Sequence, residues 1–303
     1  MPHITANGLE LFYDDHGDPA HETILLVMGL GAQMTLWPDE FVAALVGHGY
    51  RVVRYDNRDI GLSHKFEGAK APSLPWQVLR AKIGWKAKVP YSLADMAADG
   101  AGVLDALAIE KAHVVGASMG GMIAQLMAVN HAEKLHSLTS IMSTTGNPHL
   151  PQADKSAIDA LTAPLPSLDE EVVVKHGINI VKNIGSPGFP FDPDRQRERV
   201  IANMQRSLYP AGLPRQLAAI IDDGDRRKRL TSVTTPTLVL HGEDDPLVKL
   251  EGGIDTASHI AGAKLVTIPG WGHDLPVELI DRLAQEVADH AQAAMGQSAA
   301  VAA

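Results

Sequence analysis

The stretch Gly116-Ala117-Ser118-Met119-Gly120 decides the fold, because it places a serine between two glycines at the junction of a strand and a helix. The residues before it, Ala112 to Val115, are apolar and partly β-branched, as is typical of a buried parallel strand. The residues after it, Met119 to Val129, carry apolar side chains at helical spacing. A serine on so sharp a turn holds its Oγ above the edge of the sheet, and the chain passes closely only where Cβ atoms are absent. The stretch therefore predicts that Ser118 is a nucleophile, with an ordinary structural turn as the alternative.

A serine hydroxyl needs a base to take its proton, and in this kind of fold the acid and then the histidine follow the serine along the chain. Of the 14 histidines, His273 has the most informative position. It ends a glycine-rich loop, Pro269 to His273, directly after the strand predicted for Ala263 to Ile268. That loop shares with Ser118 the carboxyl edge of a parallel sheet, where ligands gather. His241 also ends a predicted strand and stays the alternative base, although it precedes the acid.

The acid is predicted to follow the strand Pro236 to Leu240, which leads through a glycine turn into a run of carboxylates. Within that run Asp245 is favoured, because the proline after it stiffens the loop and can aim the carboxylate at the histidine. Asp244 is the alternative. The strand Leu138 to Met142 is followed by hydroxyl side chains and by no carboxylate. The expected triad is therefore Ser118, Asp245 and His273.

Two backbone N–H groups must stabilise the oxyanion of an acyl-transfer intermediate. One is expected to be that of Met119, the residue after the nucleophile. The other is expected in the loop Met28-Gly29-Leu30-Gly31, which follows the strand Thr23 to Val27, with the N–H of Leu30 as the donor. The alternative for this loop is an ordinary glycine turn at the end of a strand.

Strands and helices alternate along most of the chain, which predicts an α/β fold with a doubly wound, mostly parallel sheet. The strands Leu9 to Asp14 and Thr23 to Val27 are expected to be neighbours. Nearly half of the 19 prolines fall between Pro148 and Pro214, and the helical patterns there are short. The expected units are a core of residues 1–146 and 231–290, an inserted helical cap of residues 147–230, and a disordered tail of residues 291–303.

Composition narrows the class of protein further. The net charge of −10 and the lack of a basic stripe argue against a nucleic-acid partner. The run Arg226 to Arg229 is balanced by neighbouring aspartates and is predicted to be a solvated face. No apolar run reaches the roughly 18 residues of a membrane span, and the N-terminus lacks the pattern of a signal peptide, so we expect a cytoplasmic protein with no membrane partner. The histidines lack metal-ligand spacing, so no metal is expected.

Three stretches together resemble one family. They are Met28-Gly29-Leu30-Gly31 with Trp37-Pro38, Tyr55-Asp56-Asn57-Arg58-Asp59-Ile60-Gly61-Leu62-Ser63, and Gly116 to Met122. Over residues 3–290 the chain resembles the α/β-hydrolase fold superfamily, and within it the aclacinomycin methylesterase-like carboxylic ester hydrolases. The resemblance implies ester hydrolysis without a cofactor, with the triad and the oxyanion donors at the positions already derived. Met28 stands where the fold commonly has a histidine, and Asp56 and Arg58 match a motif that is structural in the fold.

We therefore expect a serine esterase that cleaves small to medium-sized carboxylic esters through an acyl-enzyme intermediate, with a small-molecule ester as its partner. Serine at the turn excludes the haloalkane dehalogenases and epoxide hydrolases of this fold, which place an aspartate there. Cofactor-free haloperoxidases or perhydrolases, and hydrolases of carbon–carbon bonds, share the triad and stay alternatives, as does a non-enzymatic binding protein. Trp37 and Trp271 are expected to line the substrate pocket, with burial in the core as the alternative for each.

Overall fold

The computed structural model describes residues 2–73, 75–77 and 88–302. Its strands are β1 (His3–Ala6), β2 (Leu9–His16), β3 (Thr23–Val27), β4 (Arg51–Tyr55), β5 (Ala112–Ala117), β6 (Leu135–Ile141), β7 (Thr237–Gly242) and β8 (Lys264–Ile268). These described strands form an eight-stranded sheet in the order β1-β2-β4-β3-β5-β6-β7-β8. β1 pairs antiparallel with β2, and β2 with β4, whereas the later pairs are parallel. The predicted mostly parallel α/β sheet is confirmed.

Helices cover both faces of the sheet. They are α1 (Asp39–Gly47), α2 (Leu93–Ala106), α3 (Met119–Asn130), α4 (Lys155–Thr162), α5 (Glu170–Ile184), α6 (Pro193–Arg206), α7 (Leu213–Asp223), α8 (Arg227–Leu230), α9 (Leu250–Ser258) and α10 (Ile280–Ala302). Helices α1 and α10 pack together on one face, over a core to which β3 contributes Leu26. Helices α2 and α3 pack on the other face, over a core to which β3 contributes Leu25. Successive residues of one strand therefore serve both cores, as expected for a sheet that is buried on both faces.

The position of β2 differs from the prediction. β2 and β3 were expected to be neighbours, but β4 lies between them, with Tyr13 opposite Tyr55. A right-handed crossover from β3 through α1 places β4 on the outer side of β3, so the antiparallel β2 can pair only with β4. The prediction was wrong because it took adjacency in sequence for adjacency in the sheet.

Helices α4 to α8 all lie between β6 and β7 in the chain, where the helical cap was predicted. The boundaries of that cap, residues 147–230, stay a prediction. The disordered tail expected from residue 291 was wrong for its first residues, because α10 continues through them and buries Ala291 and Ala294. Small side chains at helical spacing let this helix pack closely on its neighbours, although the composition alone is typical of a frayed end.

The basic run Arg226 to Arg229, at the start of α8, also differs from the prediction. Arg226 is 1% exposed rather than solvated. Its guanidinium donates to the Asp223 carboxylate at 2.7 Å, to Gln125 Oε1 at 3.1 Å and to the carbonyl oxygen of Thr144 at 2.6 Å. A buried guanidinium is tolerated only with such partners, and the sequence pattern could not show that they surround it. None of the described helices combines the length and apolar character needed to cross a membrane.

Candidate active site

The serine turn joins β5 to α3, and its two glycines are required by the packing. Ser118 has φ 57° and ψ −119°, a backbone conformation that non-glycine residues rarely adopt. A Cβ at Gly116 would overlap the carbonyl oxygen of Gly120, and a Cβ at Gly120 would overlap the carbonyl oxygen of Val27 in β3. Glycine is therefore needed on both sides of the serine for β3, β5 and α3 to approach this closely.

Hydrogen bonds to β6 hold the strained turn in place. The Ser118 N–H donates to the carbonyl oxygen of Ile141 at 2.9 Å, and the hydroxyl of Ser143 donates to the carbonyl oxygen of Ser118 at 2.8 Å. A Cβ at Gly121 would lie 2.6 Å from the Cβ of Ser143, so this glycine also permits close packing. These bonds and this contact hold the turn against β6 and the residues after it, and Ser118 itself stays partly exposed at the carboxyl edge of the sheet.

The loop after β8 brings His273 to this serine. Its Nε2 lies 2.9 Å from Ser118 Oγ, and its Nδ1 lies 2.7 Å from Asp245 Oδ2. Because a carboxylate only accepts hydrogen bonds, Nδ1 carries the proton and donates it to Asp245. The lone pair of Nε2 therefore faces the hydroxyl of Ser118, which is the tautomer that a general base needs.

The carboxylate of Asp245 is oriented by its own loop. Its second oxygen, Oδ1, accepts the N–H groups of Leu247 and Val248, each at 2.8 Å. These bonds hold the side chain in one rotamer and leave Oδ2 for His273. The alternative acid, Asp244, is exposed and accepts the N–H of Gly270 at 2.7 Å, so it supports the histidine loop and does not touch the ring.

The alternative base, His241, lies behind the acid. It is fully buried in β7, its Nε2 is 2.7 Å from the carbonyl oxygen of Val248, and the same atom is 3.8 Å from Asp245 Oδ2. Burial lowers the pKa of this imidazole and so favours its neutral form. The ring of His241 therefore contacts the loop that carries Asp245, whereas the ring that contacts the serine hydroxyl is that of His273.

The loop after β3 runs close to the serine. A Cβ at Gly29 would lie 3.1 Å from the Cβ of Ser118. Within the described part of the chain, the N–H groups of Leu30 and Met119 donate to no hydrogen-bond acceptor, whereas the N–H of Gly31 donates to Gln216 Oε1 at 2.8 Å. Among the described residues, both backbone groups predicted for the oxyanion are therefore free to bind a ligand oxygen.

Two side-chain amides that hold this loop were missed at the level of sequence. Asn57 Nδ2 donates to the carbonyl oxygen of Met28 at 2.8 Å, and Gln216 on α7 accepts from Gly31. Asn57 lies in the stretch Tyr55 to Ser63 that carries the family resemblance, so a signal for it was present. Gln216 stands in an unremarked helix of the predicted cap, and nothing in its neighbouring residues marks it.

The end of α5 and the residues just after it bind the loop that carries His273. The N–H of His273 donates to the carbonyl oxygen of Ile184 at 2.7 Å, and the N–H of Gly272 donates to Ser186 Oγ at 2.9 Å. The Ser186 hydroxyl in turn donates to Asp274 Oδ1, and burial raises the pKa of that carboxyl group. The inserted helices therefore help to position the histidine, which the sequence pattern did not indicate.

The two tryptophans expected in the pocket lie elsewhere. Trp37 and Trp271 have no exposed surface, and both belong to the core on the face of α1 and α10. Trp37 stacks on Phe41 with ring centroids 5.3 Å apart, and Trp271 Nε1 donates to the carbonyl oxygen of Asp274 at 2.7 Å. A side chain without accessible surface cannot line an open pocket, so this prediction was wrong and the core alternative holds. Their bulk fills the space beside the sheet instead.

Residues 22–163 match a family model described as the alpha/beta hydrolase fold, and residues 218–279 match one described as a TAP-like protein. The chain is 29% identical over 310 residues to the rhodomycin D methylesterase DnrP of Streptomyces peucetius, covering 96% of this chain and 98% of that protein. It is 28% identical, with the same coverage, to the rhodomycin D methylesterase DauP of Streptomyces sp. strain C5.

Solved structures agree on the fold. A meta-cleavage product hydrolase from Pseudomonas fluorescens superposes with a TM-score of 0.73 at 21% identity, covering 97% of this chain and 98% of that one. At this identity the likeness concerns the fold alone. The chain has the α/β-hydrolase fold, matches the model of that fold family over residues 22–163, and is similar over nearly its whole length to the rhodomycin D methylesterases.

Proposed function

We propose that this protein is a serine esterase that cleaves small to medium-sized carboxylic esters through an acyl-enzyme intermediate. The observation that carries the proposal is the hydrogen-bonded series Ser118, His273 and Asp245 on a turn whose neighbouring N–H groups are free. The same triad geometry also occurs in enzymes of other chemistry, but two relatives that match 96% of this chain are named methylesterases. Hydrolysis of an ester is therefore the reaction that both lines of support share.

The proposed reaction begins when His273 Nε2 takes the proton of Ser118 Oγ as the oxygen attacks the ester carbonyl carbon. The carbonyl oxygen becomes an oxyanion and is stabilised by the N–H groups of Leu30 and Met119. The imidazolium, stabilised by Asp245, then gives its proton to the leaving alcohol, and an acyl-serine remains. Water activated by the same imidazole attacks the acyl-serine, and the carboxylic acid leaves as Ser118 is restored.

The choice of substrate rests on the inserted helices and on the relatives. Residues 147–230, the proposed cap, lie in the chain between the strand that leads to Ser143 and the strand that leads to Asp245. This order supports a cap that covers the edge where Ser118 emerges. A wall of this kind limits the size of the ester and lowers the dielectric around the oxyanion. Two relatives are named methylesterases, which supports a small leaving alcohol and makes methyl esters the first substrates to try.

A panel of p-nitrophenyl esters of increasing acyl length, with methyl esters of aromatic acids beside it, tests this proposal. The wild-type protein is expected to turn over short and medium esters, and Ser118→Ala is expected to lose that activity by a factor of about 10⁴ or more while its Tm stays unchanged. Equal turnover by both proteins would overturn the proposal. Peroxide-dependent halogenation or carbon–carbon cleavage, without ester turnover, would assign the site to the alternatives instead. The cytoplasmic location expected from the sequence stays a prediction.

A further inference from the structure

We propose that Gln216, a residue of the inserted helix α7, positions the N–H of Leu30 in the oxyanion hole. The inference rests on the proposed function, because it concerns the same oxyanion. It assigns a task in catalysis to the inserted segment beyond that of covering the site. Gln216 acts through the backbone of the loop and is a positioning residue, not one that touches the reacting atoms.

The contacts of Gln216 are complete at both ends of its amide. The side chain is fully buried, its Oε1 accepts the N–H of Gly31 at 2.8 Å, and its Nε2 donates to the carbonyl oxygen of Arg58 at 2.8 Å. One partner can only donate and the other can only accept, so the orientation of the amide is determined by the backbone around it. A neutral side chain that both donates and accepts is needed at this position.

The bond to Gly31 determines where the preceding peptide unit points. Gly31 has φ 66°, so the chain turns sharply just after Leu30. Gln216 binds the N–H of Gly31 at one end of the loop, and Asn57 binds the carbonyl oxygen of Met28 at the other. Between these two anchors the N–H of Leu30 donates to no acceptor among the described residues. Met28 cannot brace the loop as a histidine at that position could, so the two amides carry this task.

Helix α7 is itself fixed tightly enough to serve as an anchor. A Cβ at Gly31 would lie 2.8 Å from Leu213 Cδ1, so the helix packs directly against the loop. The guanidinium of Arg215 donates to both oxygens of Asp59, with Nε to Oδ2 at 2.7 Å and Nη2 to Oδ1 at 2.8 Å, and both side chains are buried. Tyr91 also donates its hydroxyl to Asp59 at 2.7 Å. The bidentate pair fixes the rotation of α7 and thereby the position of Gln216.

Direct contact of Gln216 with the substrate is excluded by the same geometry. Both polar atoms of the amide are used, and the side chain has no exposed surface. Its effect must therefore pass through Gly31 to Leu30, and it should be felt where negative charge develops on the substrate oxygen rather than in ground-state binding.

The test replaces Gln216 by Met, which keeps the length of the side chain and removes both hydrogen bonds. We expect kcat for a short p-nitrophenyl ester to fall about 10- to 100-fold while KM changes by less than about threefold. The affinity of a trifluoromethyl ketone, which forms a tetrahedral adduct on the serine, should fall by a similar factor. Gln125→Met is the matched control. Gln125 is also a buried glutamine, but its side chain bonds Ser140 and Arg226 rather than the loop of Leu30. This variant should therefore have a lower Tm and an unchanged kcat.

Gln216→Glu keeps the inference testable if the Met variant folds poorly. A protonated carboxyl can still accept from Gly31 and donate to Arg58, whereas a carboxylate cannot donate. The ratio of variant to wild-type kcat should therefore fall as pH rises. The inference would be overturned if Gln216→Met kept the wild-type kcat, or if only its KM changed. An equal loss of kcat in Gln125→Met would overturn it as well. Absence of ester turnover in the wild-type protein would instead overturn the proposed function, so the two failures are distinguishable.

Discussion

Asp245→Asn is the substitution whose effect can be worked out most fully from the structure. In the wild-type protein Oδ1 accepts the N–H groups of Leu247 and Val248, and Oδ2 accepts the Nδ1–H of His273. An asparagine has one oxygen and one NH₂ group in these places. If the NH₂ faced the two backbone N–H groups, two donors would oppose it, so the oxygen must stay there and the NH₂ must face His273.

This orientation reverses the tautomer of the imidazole. Nδ1 must then accept a hydrogen bond from the amide, so the imidazole proton is on Nε2. There it points at the hydroxyl of Ser118, and Nε2 has no lone pair with which to take the serine proton. We expect kcat to fall by about 10³- to 10⁴-fold, which corresponds to about 4–5.5 kcal/mol in the activation barrier. The packing is unchanged, so Tm should stay within a few degrees of that of the wild-type protein.

The assay is steady-state turnover of a short p-nitrophenyl ester, with Asp244→Asn as the matched control. The amide oxygen of an asparagine at 244 can still accept the N–H of Gly270, so this neighbour should keep its kcat within about twofold. A kcat within tenfold of wild type for Asp245→Asn would refute the tautomer reasoning. A severe loss in Asp244→Asn together with a mild one in Asp245→Asn would show that the acid is the neighbouring residue.

Three further results are expected. Gly120→Ala should lower both Tm and kcat, because its Cβ would overlap the carbonyl oxygen of Val27 and overpacking of this kind costs about 1–3 kcal/mol of stability. Thermal unfolding followed by circular dichroism measures the first effect, and ester turnover measures the second. An unchanged Tm would contradict the close packing of Gly120 against Val27. Burial lowers the pKa of His113 from 6.5 to about 3, so between these pH values the unfolded chain binds a proton that the folded chain does not. The free energy of unfolding should therefore fall on acidification by up to roughly 1.4 kcal/mol per pH unit. Urea unfolding at several pH values should show a smaller decrease for His113→Gln than for the wild-type protein, and an equal decrease in both proteins would contradict this. EDTA should leave ester turnover unchanged and long-chain triglyceride emulsions should be poor substrates, whereas strong activation on triglyceride droplets would indicate a lipase with a mobile lid.

The elements around the serine were predictable because their signals are local. The strand before Ser118 and the helix after it differ from the prediction only at their ends. The β1–β2 hairpin was missed although a local signal was present. Asn7 and Gly8 both have positive φ, as a two-residue turn between strands requires, and an Asn-Gly pair favours such a turn.

The triad residues could be proposed from chain order, since parallel strands bring their carboxyl ends to one edge. The side chains that support them could not. Gln216 lies 185 residues from Gly31 in the chain, and only the packing of α7 brings the two together. The prediction for the two tryptophans was wrong for the opposite reason. Each lies near a loop of the candidate site in sequence, but the burial of a large apolar ring depends on the space that the fold leaves beside the sheet. The local sequence pattern therefore predicted the residues of the proposed triad, whereas long-range packing determines which side chains surround them.

Covalent capture of the nucleophile tests the central claim most directly. The wild-type protein is treated with a fluorophosphonate, and separately mixed rapidly with a p-nitrophenyl ester and quenched with acid, and both products are digested and sequenced by mass spectrometry. One phosphonyl group, and in the quenched sample one acyl group, should be found on Ser118, and neither should be found in Ser118→Ala. Labelling of another residue, or labelling that persists in Ser118→Ala, would contradict the assignment of Ser118 as the nucleophile.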